Sequence, residues 1–177
     1  MDGRGSGSSS FRVLILGIGN AWASDDGVGP EVVRRAQARL VGLERNAASE
    51  VGFVIMARPD LALLDRLAGV DRLILVDGVV SGATPGTLHR RAWRPGLVEE
   101  RGVERASSHG FGVKELLEMA RALGKLPARV ELWGVEITSA APGQGLSPAV
   151  AGAVEEIVEQ LVEALGVEDG PAARRNG

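Results

Sequence analysis

The sequence predicts an α/β protein: a three-layer α/β/α sandwich on a mostly parallel, twisted sheet with helices on both faces. Two observations carry this. Short apolar runs alternate with helical patterns along the chain, the order that a parallel sheet needs. The runs are also continuously apolar rather than alternating, as in strands covered on both faces. At 177 residues the chain can bury a substantial core, and one domain is the expectation.

The elements follow in order. Phe11–Leu16 reads as the first strand, its centre Val13–Leu16 wholly apolar. Val28–Leu40 reads as a helix, with Pro30 tolerated in its first turn and Val32, Val33, Ala36 and Leu40 on one face. Val51–Ala57 is a second strand and Pro59–Leu67 a short helix. Arg72–Val76 is a central strand ending at Asp77, and Gly86–Trp93 a further strand after the Pro85-Gly86 turn. In Val113–Leu123 the residues Val113, Leu116, Leu117 and Ala120 share a helical face, and Gly124 stops the helix. Val130–Val135 is the last strand. Ser147-Pro148 is an N-cap and N1 pair opening a closing helix to Leu165, with Val150, Val154, Ile157, Leu161 and Leu165 as its stripe. Residues 1–10 and 166–177 read as tails flanking a single domain at 11–165.

Composition narrows the function classes. A net charge of -3 gives no electrostatic case for nucleic acid or an anionic membrane. Cysteine is absent, which excludes a thiol nucleophile, a cysteine-based zinc site and disulfides, and permits a cytoplasmic address. No apolar run reaches the roughly 18 residues of a membrane span, and residues 1–10 lack the apolar centre of a signal peptide. Without an extensive exposed apolar stripe, a monomer is the expectation.

The chemistry concentrates in Gly17-Ile18-Gly19-Asn20-Ala21-Trp22-Ala23-Ser24-Asp25-Asp26-Gly27-Val28-Gly29-Pro30, a glycine-rich strand-to-helix loop holding two adjacent carboxylates. In open α/β sheets ligands bind at the carboxyl ends of the strands. Asp26 follows the first strand, Asp77 ends the run Leu73–Val76, and His109 stands in Ala106-Ser107-Ser108-His109-Gly110 ahead of a helix. Two carboxylates and one imidazole make an incomplete shell for a divalent cation, leaving room for water or substrate. Each also has an ordinary reading: Asp25 or Asp26 as helix N-cap, Asp77 as a loop residue before Gly78, His109 as a cap. Here Asp25 takes the capping role and Asp26 the chemical one. His89, inside a strand, reads as solvent-facing. Gly17-Ile18-Gly19 lacks the third glycine of a dinucleotide fingerprint.

Together these segments resemble the hydrogenase maturation protease family, over about Phe11 to Leu165. Four blocks carry the likeness: Gly17-Ile18-Gly19-Asn20 with Asp25-Asp26-Gly27-Val28-Gly29-Pro30; Leu73-Ile74-Leu75-Val76-Asp77-Gly78 with Pro85-Gly86-Thr87; Ser108-His109-Gly110 with Glu115-Leu116-Leu117; and Gly134-Val135-Glu136 with Gly145-Leu146-Ser147-Pro148. The resemblance implies an endopeptidase that trims the C-terminus of the nickel–iron hydrogenase large-subunit precursor. It implies that Asp26, Asp77 and His109 contact the metal. The nickel would be supplied by the precursor, with no tightly held metal in the resting enzyme. Many members carry Glu where Asp26 stands, but Asp also occurs, so the role is retained with a shorter reach. One departure stands out: Ile137 occupies a position where the family often has Pro. The loop Thr138–Gly145 is therefore a candidate for partner choice. Either a metal polarising the carbonyl and activating water, or a carboxylate acting as general base, would suit hydrolysis. Two alternatives are a peptidyl-tRNA hydrolase-like esterase, which also opens with a Gly-rich, Asn-containing loop but needs a basic face, and a non-enzymatic nickel-binding accessory protein.

Overall fold

A computed structural model describes residues 11–41, 49–96, 104–105, 112–143 and 145–165. The two expected tails and His109 lie outside the described residues.

Strands β1 (Phe11–Ile18), β2 (Ser49–Met56), β3 (Arg72–Val80) and β6 (Arg129–Glu136) run parallel, with β4 (Leu88–Ala92) antiparallel at one edge. Their order across the sheet is β2-β1-β3-β6-β4, and the two-residue β5 (Glu104–Arg105) pairs with the end of β3. The described residues also form four α-helices: α1 (Val28–Val41), α2 (Leu63–Arg66), α3 (Val113–Ala122) and α4 (Pro148–Ala164). No helix among the described residues is long and apolar enough to cross a membrane.

The three layers follow from the two-residue period of strands. Val13, Ile15, Ile74, Val76, Trp133 and Val135 point to one face, where α1 and α4 cover them with Val32, Val33, Ala36, Val154, Ile157 and Leu161. Leu14, Leu16, Ile18, Leu73, Leu75 and Val130 point to the other and meet Leu63, Leu67, Val113, Leu116, Leu117 and Ala120 of the α2 and α3 segments. Successive strand residues thus enter different cores, which is why the runs read as continuously apolar.

Three expectations change. The strand expected at Arg72–Val76 continues to Val80, so Asp77 lies within β3, paired with Gly134, rather than beyond its end. The Pro59–Leu67 segment holds only the short helix Leu63–Arg66. The Gly86–Trp93 strand is shorter and antiparallel. Residues 81–87 are too few for the crossover that a parallel connection needs, and β6 inserts between β3 and β4.

At the end of the sheet away from Asp77, Arg72 binds Glu131 through Nε at 2.8 Å and Nη2 at 2.7 Å, and donates through Nη1 to the Ala164 carbonyl at 2.6 Å. This buried pair ties β3 and β6 to the C-terminus of α4, where a cation also suits the helix dipole.

Candidate active site

The junction of β1 with α1 is set by contacts that only glycines allow. A Cβ on Gly29 would meet the Ile18 carbonyl oxygen and lie 2.6 Å from that of Val76. One on Gly17 would lie 2.5 Å from the Gly29 carbonyl oxygen. The first turn of α1 therefore rests directly on the backbones of β1 and β3. Gly19, at φ 138°, turns the chain where a Cβ would strike the Asp26 carbonyl. The 3-10 turn Ser24–Gly27 packs against β3 in consequence, and Asp26 and Asp77 come to the same edge of the sheet.

Asp26 is 7 % exposed, and its Oδ2 accepts the Asn20 N–H at 2.7 Å. Among the described residues this is the one hydrogen bond of the carboxylate, and it orients the side chain. Asp77 is 4 % exposed, with Oδ2 shut off from solvent. Buried carboxylates are uncommon unless paired or functional. Among the described residues no three His, Cys, Asp or Glu side chains group to hold a metal ion. The described part of the expected triad is its two carboxylates.

Asp25 corrects the sequence reading. Its carboxylate binds residues far along the chain and not the first turn of α1. Oδ1 instead accepts the Ser147 N–H at 2.5 Å, and Oδ2 accepts the Thr138 N–H and the Ser147 hydroxyl at 3.0 Å each. Asp25 is 1 % exposed. Burial alone would push its carboxyl up. The donors from Ser147 and Thr138, with the Ser139 backbone, outweigh burial and hold it below the ordinary carboxylate value. Ser147 is the N-cap of α4 as expected, with Pro148 following, but its hydroxyl serves Asp25 and not the helix. Backbone bonds reinforce the join: Asp25 N–H to Ser139 O, Ser24 N–H to Gly143 O and Gly143 N–H to Trp22 O, at 3.1 to 3.2 Å. The carboxylate loop is thus clamped to the Thr138–Gly145 loop, leaving Trp22 73 % exposed beside it. Ser24 has φ 46°, a strained value for a non-glycine residue, at the centre of this clamp.

His89 is the second correction. It is half-buried rather than solvent-facing, and its Nε2 lies 3.2 Å from Glu136 Oε2. Glu136 also accepts the Ser81 N–H at 2.8 Å, the Ser81 hydroxyl at 2.6 Å and the Gly82 N–H at 2.9 Å. Burial would raise its carboxyl, but these donors and His89 hold it below the ordinary value. Sequence reasoning gave Glu136 no role. The signal was an acid at the carboxyl end of a strand, directly after Leu132-Trp133-Gly134-Val135, much as Asp77 follows Leu73–Val76.

Comparison with known proteins points one way. A family model described as hydrogenase maturation protease matches residues 60–164. The chain is 30 % identical over 165 residues to the hydrogenase 2 maturation protease of Escherichia coli (strain K12), covering 91 % of this chain and 96 % of that one. It is 33 % identical over 157 residues to the hydrogenase expression/formation protein HupD of Rhodobacter capsulatus, covering 87 % and 71 %. Among solved structures, the hydrogenase maturating endopeptidase HybD from E. coli superposes with a TM-score of 0.71 at 28 % identity, covering 88 % of this chain and 93 % of that one.

Proposed function

The chain belongs to the hydrogenase maturation protease family, and on that footing we propose that it removes the C-terminal extension of a nickel–iron hydrogenase large-subunit precursor after nickel insertion. The family membership sets aside both the esterase and the non-enzymatic alternatives. The precursor is the partner, and the reaction takes place in the cytoplasm with the enzyme as a monomer. Asp26, Asp77 and His109 contact the nickel that the precursor carries, so the metal belongs to the substrate.

One observation supports this reading above others: two separately buried carboxylates, Asp26 and Asp77, are brought to one edge of the sheet by the glycine contacts of α1 with β1 and β3. Carboxylate oxygens and an imidazole nitrogen suit nickel, which binds N and O donors more tightly than manganese or iron(II) does. A set of three protein donors leaves the nickel its ligands from the precursor. Hydrolysis adds water across the peptide bond, and a carboxylate at this edge is placed to accept the proton that water loses.

The test is processing of the precursor in nickel-loaded and nickel-free forms by purified enzyme. Cleavage confined to the loaded form is expected. Efficient cleavage of both would remove nickel recognition, and cleavage of neither would remove the reading.

A further inference from the structure

Asp77, Gly134 and His89 stand in register across β3, β6 and β4. Paired positions on neighbouring strands project to the same face. Asp77 and His89 accordingly line one groove, with Arg91 beside His89 and Leu75 and Val79 beneath. Gly134 lies between the two side chains and contributes none of its own. A Cβ there would come 2.9 Å from Val79. The groove thus has the candidate catalytic carboxylate on one wall and an imidazole on the other.

The orientation of that imidazole is fixed by chemistry. Glu136 is an ionised carboxylate and only accepts, so Nε2 carries the proton that faces it. In the neutral ring Nδ1 is then an acceptor. Ser81 does not complete a nucleophilic triad. Its hydroxyl donates to Glu136 Oε2 at 2.6 Å, and the nitrogen nearest to it, at 3.5 Å, is the same Nε2. Nor does the β3–β4 turn require His89, because Glu136 already holds that turn through the Ser81 N–H and hydroxyl and the Gly82 N–H. The His89 contact adds a set ring orientation at the groove wall.

We infer that His89 is a substrate-binding residue: its Nδ1 accepts a hydrogen bond from a backbone N–H of the precursor segment that crosses the groove between Asp77 and His89. This rests on the proteolytic reading above. It adds a contact outside the three metal-contacting positions, and it gives Glu136 the part of a positioning residue acting through the ring.

The experiment compares His89→Asn, His89→Gln and His89→Phe in steady-state processing of the nickel-loaded precursor, with melting temperature measured alongside. The Asn amide oxygen occupies the place of Nδ1, whereas the Gln amide reaches the place of Nε2. His89→Asn is expected to keep KM within about twofold of wild type. His89→Gln and His89→Phe are expected to raise it about 3–10-fold, the effect of one neutral hydrogen bond, with kcat within about twofold. Labelled-imidazole NMR should show the Nδ1 resonance of His89 move when a peptide spanning the cleavage position is added. A KM unchanged in all three variants overturns the inference. So does the reverse order, with Gln retained and Asn impaired together with melting temperature, which marks a purely structural bond to Glu136. If wild-type enzyme fails to process the precursor, the proteolytic reading falls and takes this one with it. If wild type cleaves and the variants match it, this inference alone falls.

Discussion

Asp25 holds Ser147 by both its backbone N–H and its hydroxyl, across 122 positions of sequence. Its neighbour Asp26 reaches back six positions to the Asn20 N–H. Adjacent carboxylates therefore do different work. One joins the β1–α1 loop to the start of α4, and the other stays at the strand edge beside β3.

Asp25→Ala should destabilise the protein by about 2–4 kcal/mol. It leaves the N–H groups of Thr138 and Ser147 without their acceptor, each at about 1–3 kcal/mol, with partial relief from entering water. Denaturant unfolding measures this. An effect below about 0.5 kcal/mol would mean that the clamp contributes nothing.

Asp26→Ala and Asp77→Asn should abolish precursor processing while leaving the far-ultraviolet circular dichroism spectrum unchanged. Asp77→Asn keeps the side-chain volume in its buried position and removes the charge. Substantial turnover by either variant would move the chemistry elsewhere.

Stability should fall in acid through Asp25 and Glu136. Both carboxyls lie below their ordinary values in the folded state, held there by donors that outweigh burial. In the unfolded chain they titrate near 4. The folded state thus binds fewer protons, and the stabilisation is full above that pH. It is lost as pH falls from about 4 through the lower folded-state values. Melting temperature against pH for wild type and Asp25→Asn should converge at the acid end. Parallel curves would show that the Asp25 carboxylate is not the group responsible.

Gly29→Ala should cost at least about 1–3 kcal/mol, the usual range for overpacking, because the added methyl meets backbone oxygens of Ile18 and Val76 that cannot rotate away. It should also lower processing, since lifting α1 from β3 separates Asp26 from Asp77. Normal stability and activity in this variant would show that the close approach is dispensable.

The sequence by itself determined the layers and pointed to the loop that carries the two candidate carboxylates. The apolar runs at Val13–Leu16 and Leu73–Val76 report burial on both faces, and the stripe from Val150 to Leu161 reports a helix on one of them. These are local periodicities, fixed by side-chain geometry over a few residues. The glycines around Asp25 and Asp26 likewise announced a tight strand-to-helix junction. Tertiary structure decided which carboxylate does what. Asp25 and Asp26 have the same chemistry and adjacent places in sequence, and only the arrival of Thr138 and Ser147 separates their roles. It also decided that β6 enters between β3 and β4, which aligns Asp77 with His89, and that Glu136 meets a histidine 47 positions earlier. Such partnerships depend on strand order and on loops approaching from afar, and no short-range pattern encodes them.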